Sequence, residues 1–484
     1  MRNEAVAKVL LAALWIVCVY RAATQSIVHD EALTYQLYLA GPASRMFEAF
    51  DANHHFLNTL LMYVCVSLFG ASELSMRIPA LAGAALYFAA IYRISRYAFG
   101  TGLAFLLAIA LATLNPFVLD FMVAARGYGM ALGLWMWALA VLLPYIEDPK
   151  VRTPGKLAEA AAALALSVVA NLVFALPAAV LAGMTIRLLR KPASPQTDKE
   201  IRKKHKKRVA DDPSLAIYFA LPIGAIAILF LMISPLASAT SGAFYTGAST
   251  IPESLRSLAA VSLAHGSPWR NSPATGWFRD AVAFAAAPAI LLAGLAVGVR
   301  RRNMLLLLGS GAAIGSALLL LLAHVAFQMP YPADRTGIYF LPLVSLTLIG
   351  LASSIPSRPG AIAVYTLAGV LLLQFGAEWN VRKFLVWEYD ADTRQIASRL
   401  SENAGGKSAN SVRVGCTWQL EPALNFYRAK NAWAWMQPVT RAPLTEIFDY
   451  YVVASWDRPA VTAFGLKTLY QGPVSGTQLA ARQP

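Results

Sequence analysis

Residues 56–69 read FLNTLLMYVCVSLF. Fourteen residues are too few to cross a hydrocarbon core of about 30 Å, which needs roughly 20 apolar residues in a helix, so an interfacial helix is expected here. That reading fixes the parity of everything after it. Eleven other stretches approach spanning length: 5–25, 77–98, 102–122, 128–146, 157–174, 174–190, 214–234, 281–299, 303–323, 337–355 and 360–379. With 56–69 on the surface and the N-terminus inside, 21 of the 41 Lys and Arg residues fall on the cytoplasmic side. Twelve more lie in the tail after residue 380, which leaves eight for all the outer connections, as the positive-inside rule requires. Counting 56–69 as a span would put Arg93 and Arg96 on the side opposite to Arg300, Arg301 and Arg302. The pair 157–174 and 174–190 meets at a bend marked by Asn171 and Pro177; one kinked span is the alternative and would invert all that follows.

The composition agrees with a membrane chain. Of 484 residues, 57% are hydrophobic and 14% charged, and the mean hydropathy is +0.52. A soluble domain carries nearer a quarter charged residues, so a cytosolic globule and a disordered chain are both excluded. Cys18, Cys65 and Cys416 form no CxxC pair, which argues against a zinc or iron–sulfur site and against a disulfide scaffold. The formal charge of +15 is concentrated on inner connections, above all in the basic loop 191–213, so its partner is membrane lipid and no nucleic-acid role is expected. Arg2, Lys8 and the apolar run 9–20 also fit a signal peptide, but Arg21 before Ala22-Ala23 makes a poor cleavage site, and a retained first helix is expected.

Two outer segments stand apart. The connection 235–280 is rich in Ser, Gly and Pro and reads as a long external loop, a type that tends to be a lid or binding loop. After Trp379 charged residues become frequent and apolar runs shorten. Asp390 to Leu400 has helical spacing, while Val412 to Trp418 and Tyr450 to Ser455 read as strands. The expected fold is therefore a polytopic α-helical membrane protein of about eleven transmembrane helices with a small C-terminal α/β domain outside the cytoplasm. Its divisions are a membrane domain, 1–379, with a first external loop, 26–76, and a soluble module, 380–484.

Ionisable residues gather on the outer connections. In the first loop His29-Asp30-Glu31 precedes Asp51-Ala52-Asn53-His54-His55. Two adjacent carboxylates suit a general base and a cation ligand; the bland alternative is an acidic cap on the next helix. His54 and His55 either contact phosphate or sit in headgroup water. The second outer turn carries Ala125-Arg126-Gly127-Tyr128, with Asp120 nearby as an ion-pair partner for Arg126. The end of the ninth span carries Asp334-Arg335, where an arginine suited to phosphate competes with a surface pairing to its neighbour.

Taken in order, these clusters resemble the GT-C membrane glycosyltransferases, in particular the dolichyl-phosphate-mannose protein mannosyltransferases and the bacterial aminoarabinose transferases. Such chains show one span, an external Asp-Glu, a His-Pro-Pro-Leu type helix ending in Leu-Phe-Gly, and an Arg-Leu-Pro opening the next span. Here the order is Asp30-Glu31, Asn53-His54-His55-Phe56-Leu57, Leu68-Phe69-Gly70 and Arg77-Ile78-Pro79, with Tyr92-Arg93 and Phe99-Gly100 at that span's inner end. Ala125-Arg126-Gly127-Tyr128 looks like the Ala-Arg-Pro-Tyr or Ala-Arg-x-Asp element. The specific motifs cover residues 1–190; beyond them only the layout matches.

The resemblance implies an inverting glycosyltransferase in a bacterial inner membrane, N-terminus cytoplasmic and C-terminal domain periplasmic. It implies a polyprenyl-phosphate sugar donor, with protein, lipid or polysaccharide as acceptor. Asp30 would deprotonate or orient the acceptor, Glu31 would assist with a cation or the phosphate, and His54 would sit near the lipid phosphate with His55 beside it. Arg126, Tyr128 and Arg335 would be substrate contacts. The cation implied is Mg or Mn, although nothing in the sequence requires a cofactor, and Tyr128 stands where some members have a second Asp. His55-Phe56 also replaces the Pro-Pro. Two other functions stay open from the residues alone: a secondary transporter, which should show repeats and ionisable groups near the bilayer midplane, and a non-catalytic lipid-binding or assembly scaffold.

Overall fold

The structure is a computed structural model that describes residues 2–48, 50–190, 213–239, 247–263, 269, 271–355, 357–444 and 447–482. The basic loop expected at 191–213 lies outside the described residues up to its last position. In chain order the helical part comprises α1 (Arg2–Thr24), α2 (His29–Thr34), α3 (Phe56–Phe69), α4 (Glu73–Phe99), α5 (Leu103–Thr113), α6 (Pro116–Phe121), α7 (Gly127–Glu147), α8 (Pro154–Ala170) and α9 (Ala175–Arg190). It continues with α10 (Pro213–Ile233), α11 (Ile251–Leu263), α12 (Pro273–Arg301, with a π-helical turn at Val282–Ala286), α13 (Met304–Phe327), α14 (Phe340–Ser354) and α15 (Arg358–Glu378).

Seven helices among the described residues are long and apolar enough to cross a membrane: α1, α4, α7, Leu172–Arg190, α12, α13 and α15. The helices Phe56–Phe69, Leu103–Thr113, Ile217–Ile233 and Phe340–Ser354 are apolar but shorter. Local chemistry explains the breaks. Gly70, at φ +76°, ends α3, and Ser72 starts α4 by exchanging side-chain and backbone hydrogen bonds with Ser75 at 3.0 Å each way. The stretch 102–122 is not one helix, because Pro116 cannot donate to the preceding turn and Asn115 caps a new helix by accepting from the amides of Phe117 and Val118. The connection read as a loop over 235–280 contains α11 and the first turns of α12.

Contacts at the helix ends give the direction of each rod. At one end Asn3 donates to the Thr101 carbonyl, Arg96 pairs with Glu4 at 2.6 Å, Glu147 accepts from the Met304 amide and the Tyr97 hydroxyl, and Arg301 donates to the Ser354 carbonyl. This end therefore gathers the start of α1, the end of α4, the start of α5 and the end of α7, together with the end of α12, the start of α13 and the end of α14. The uncertain segment resolves into two rods. A Cβ on Gly315 would lie 2.6 Å from Val180, and one on Gly311 would strike Met184, so α9 runs antiparallel to α13 and returns from the end that α8 reached.

The core is α7, 83% of whose apolar window is buried, whereas α15 has 11% buried and α12 17%. Small residues permit the closest approach: a Cβ on Gly83 would lie 2.6 Å from the Met130 Cα, and one on Gly133 would hit the Gly83 carbonyl, so α4 and α7 meet backbone to backbone. The outer helices turn Leu221, Leu229, Met232, Leu292, Leu322 and Leu373 outward, as a lipid-facing surface requires.

Beyond α15 lies a small α/β module: α16 (Thr393–Ala404), β1 (Val414–Cys416), α17 (Glu421–Lys430), β2 (Tyr450–Val453), α18 (Pro459–Ala463), β3 (Leu466–Gln471) and β4 (Gln478–Arg482). The sheet order is β1-β2-β4-β3, with β1 and β2 parallel and the other pairs antiparallel. The helix and first two strands fall where expected; β3 and β4 were not foreseen. Ile396, Leu400, Val414, Leu424, Val452 and Leu479 form its own core. Glu73, at the start of α4, ties the module to the helices: it meets Arg394 at 2.8 Å and Lys430 at 2.6 Å and accepts from the Tyr427 hydroxyl.

Candidate active site

The two acids of the first loop do different things. Glu31, in the first turn of α2, is fully buried and bound by both oxygens to Arg77 of α4: Nε to Oε1 at 2.9 Å and Nη2 to Oε2 at 2.6 Å. Oε1 also accepts from the Ala125 amide at 2.6 Å and Oε2 from the Val28 amide at 3.1 Å. Arg77 spends its remaining donors on the carbonyls of Ala22, Gln25 and Ser26. Both sides of the pair are saturated, which is what makes a fully buried charge tolerable. The expectation of Glu31 as a cation or phosphate contact is corrected: its carboxylate is a clamp holding the end of α1, α2, α4 and the 125 turn together.

Asp30 is the acid that faces a polar centre. Its Oδ2 lies 3.5 Å from Arg126 Nη2 and 3.4 Å from Arg335 Nη2, and accepts no hydrogen bond. The side chain is 13% exposed. Burial alone would raise its pKa, but the two guanidiniums, with His29 and the nearby Trp387 indole, hold it below the ordinary carboxylate range. Arg126 is the residue before α7, buried, donating from Nη1 to the Asn53 carbonyl at 3.2 Å and the Thr34 hydroxyl at 3.4 Å. Asn53 in turn donates to the Asp30 carbonyl and the Thr34 hydroxyl, so the 53–55 segment is fastened to α2. Gly127 is required at the next position, since a Cβ there would strike the Ala170 carbonyl and sit 2.8 Å from the His55 Cβ.

His54 and His55 are buried beside this centre. His54 stacks on Tyr38, with centroids 4.2 Å apart, and His55 packs edge-on to Tyr128 at 5.2 Å. Burial lowers the His54 pKa to about 4, and burial with the charge of Arg126 and Arg335 lowers that of His55, so both rings are neutral near pH 7 and can donate to an anion without adding charge. They line a hollow with Phe56, Asn171, Phe230 and Ser234, where the ends of α8 and α10 meet. Tyr128 lies beside Arg335. Asp334 does not pair with Arg335 but exchanges hydrogen bonds with Ser257. Asp120 pairs with Arg21 at 2.6 Å and accepts from the Leu385 amide, not with Arg126 as expected.

Asp30, Arg126 and Arg335 thus converge at one end of the helices, while His54 and His55 line the hollow next to them. Oδ2 of Asp30, Nε2 of His54 and His55, and Nε of Arg126 and Arg335 are buried at this end without a hydrogen-bond partner. Buried polar atoms are rarely left unpaired, and a group of them at one point marks a place shaped for a polar ligand. The nearby Glu31–Arg77 and Asp120–Arg21 pairs are neutral overall, which leaves the Arg126 and Arg335 guanidiniums on either side of the Asp30 carboxylate, with Asp334 next to Arg335. Two guanidiniums meeting at one point suit an anionic group. A divalent cation does not fit this donor set: Glu31 has no face left, Asp30 stands between two positive groups, and among the described residues no three His, Cys, Asp or Glu side chains converge.

Two contributors were missed. Trp387 lies beside Asp30, and the Arg335 guanidinium lies over its ring, 5.8 Å from the centroid. Asp390, buried, accepts from the His29 amide at 2.7 Å; burial pushes its carboxyl well above the ordinary value. Both come from the segment joining α15 to the module, more than 350 residues from the loop they touch. Only the shift in composition after Trp379 marked Trp387, and Asp390 stood out only as the first residue of the stretch with helical spacing.

No family model and no curated protein matches the chain. Among solved structures it is similar to the glycosyltransferase ArnT from Cupriavidus metallidurans in the apo state, with 11% identity over 98% of this chain and 97% of that one and a TM-score of 0.47. The same enzyme bound to undecaprenyl phosphate aligns with 15% identity over the same shares and a TM-score of 0.43. The arabinofuranosyltransferase AftD from mycobacteria aligns at 14% identity over 98% of this chain, with a TM-score of 0.47; the chain spans 40% of its length. These structural neighbours are GT-C glycosyltransferases.

Proposed function

We propose that the chain is an inverting glycosyltransferase that moves a sugar from a polyprenyl-phosphate-linked donor to an acceptor hydroxyl. The observation that carries the reading is the Asp30 carboxylate facing Arg126 and Arg335 with its Oδ2 unpaired, beside neutral histidines and helices with an apolar outer surface. The ordered motifs from Asp30 to Tyr128 support the same class. We assign eleven passes, the N-terminus to the cytoplasm, and the site end with residues 380–484 to the outside of a bacterial-type inner membrane. Residues 1–379 form the membrane domain and 380–484 the module.

In the reaction the acceptor oxygen attacks the anomeric carbon as the bond from that carbon to the phosphate oxygen breaks. The electron pair leaves with the lipid phosphate, and the acceptor proton passes to Asp30 on the opposite face, which inverts the anomeric centre. Charge grows on the phosphate, so Arg126 and Arg335 stabilise the transition state and the histidines donate to the phosphate oxygens. A bound phosphate would also draw the two guanidiniums away from Asp30. The carboxyl is then less strongly acidified and a better base at the moment it is needed. No cation is required by this scheme.

The test is transfer in membranes together with lipid analysis of a strain lacking the gene. A lipid-linked sugar should accumulate in that strain and be consumed on adding the wild-type chain but not Asp30→Asn. Turnover by correctly folded Asp30→Asn would remove Asp30 from the chemistry, and no accumulated lipid-linked sugar would count against the donor class.

A further inference from the structure

We infer that the acceptor is a carbohydrate chain, and that it approaches Asp30 over the face of the C-terminal module that carries the exposed Trp418 and Trp456. The inference rests on the transferase reading and names its second substrate. Both indoles are large apolar surfaces turned to solvent, 52% and 50% exposed, on a module whose other aromatic residues are mostly covered. The segments that carry them are joined where the Thr417 hydroxyl donates to Asp457 at 2.7 Å, one residue from each tryptophan. Each also leads back to the reacting centre. Trp418 packs edge-on to His29, the neighbour of Asp30, with centroids 5.8 Å apart. Trp456 packs edge-on to Tyr389 at 5.8 Å, and Tyr389 lies within the fields of Asp30, Asp390 and Arg335.

The polar groups around the two rings match a sugar better than a lipid or a peptide anchor. A sugar ring has C–H faces that stack on an indole and a rim of hydroxyls that must be hydrogen-bonded, so its binding sites mix flat aromatics with short polar side chains. Here Arg441 lies over the Trp418 ring at 5.4 Å and is itself held by Glu421, and Gln419 keeps a buried Oε1 without a partner while its carbonyl bonds the His29 ring. A membrane-interface role would set the tryptophans beside lipid-facing helices, as Trp379 is at the end of α15. Trp418 instead rests on His29, which precedes Asp30, and Trp456 on Tyr389, which precedes Asp390. Rigid aromatic side chains also lose little entropy on gripping a ligand.

The test uses membranes of cells lacking the gene, carrying the full-length wild type, Trp418→Ala, Trp456→Ala, Trp418→Phe or Asp30→Asn. The probes are the labelled lipid-linked sugar from those cells and two acceptor fractions of their envelope, delipidated polysaccharide and protein. Label should enter the polysaccharide. Each Trp→Ala change should raise the acceptor concentration for half-maximal transfer about tenfold, as loss of one ring stack implies, with the maximal rate nearly unchanged. Trp418→Phe should recover most of the loss, a rescue that general misfolding would not give. Label entering protein, label staying in a lipid without added saccharide, or an unchanged acceptor dependence in both Trp→Ala variants would overturn the inference while leaving the transferase reading intact. Absence of any Asp30-dependent transfer by the wild type would overturn both.

Discussion

Arg335→Gln separates the two duties assigned to this arginine. At 3.4 Å from Asp30, unit charges interact by about 5 kcal/mol at an effective dielectric near 20. Arg335 is 21% exposed, so solvent screening leaves about half of that. Asp30 works as a base only when ionised, and its carboxyl is held low by Arg126 and Arg335 against the opposing effect of burial. Removing one guanidinium lets burial regain ground, so the pKa rises by about 1–2 units at 1.36 kcal/mol per unit. The acidic limb of the pH–rate profile should move to higher pH by that amount. Loss of a donor that meets charge developing on the leaving phosphate should also slow the chemical step about 100-fold at the pH optimum. Single-turnover transfer in lipid nanodiscs, followed from below the ordinary carboxylate pKa, where the wild-type limb lies, up to neutral pH, reads both effects. A slower rate with an unmoved acidic limb would mean that Asp30 is not the titrating base. An unmoved rate would take Arg335 out of the site.

Three further outcomes follow from the surrounding contacts. Glu31→Gln and Arg77→Met should each destabilise the chain by about 3–5 kcal/mol, and the double variant by clearly less than their sum, because each single change strands a buried partner; thermal unfolding in detergent reads this, and additivity would contradict the clamp. Chelation should leave transfer unchanged, since Glu31 is saturated by hydrogen bonds and Asp30 stands between two guanidiniums; loss of activity restored by Mg or Mn would refute the donor-set argument. Asp390 has a folded-state pKa above its unfolded value near 4, so its contribution to stability is complete below that pH and is lost as pH rises through the raised value. Asp390→Asn keeps an acceptor for the His29 amide and removes the titration, so its Tm should fall less than that of wild type from pH 4 to 8; parallel curves would show Asp390 ionised in the fold.

The parts of the site that lie on short connections between apolar stretches were legible from the sequence. A helical bundle has only a few turns at each end, so fixing the parity at 56–69 brings Asp30, His55, Arg126 and Arg335 to the same end without any knowledge of contacts. Their division of labour was not legible. Nothing in Asp30-Glu31 says which acid meets Arg77, because that depends on the rotation of α2 against α4, and Asp120 turned to Arg21 for the same reason. Trp387 and Asp390 reach the site through a fold-back of the chain that leaves no periodic trace. The strand β3 escaped because Lys467 and Thr468 are both exposed, and β4 because Leu479 and Ala480 are both buried, each of which breaks the alternation that marks a strand. The helix α11 escaped because Ser and Gly around it mimic a loop.

The most direct measurement is a structure of the full chain in a lipid bilayer with undecaprenyl phosphate bound. The account predicts the phosphate within hydrogen-bonding distance of Arg126 and Arg335, with Asp30 released from at least one of them and the isoprenoid tail leaving beside α10. A phosphate held at the opposite end of the helices, or bound with the Asp30 to Arg126 and Arg335 contacts undisturbed, would contradict it.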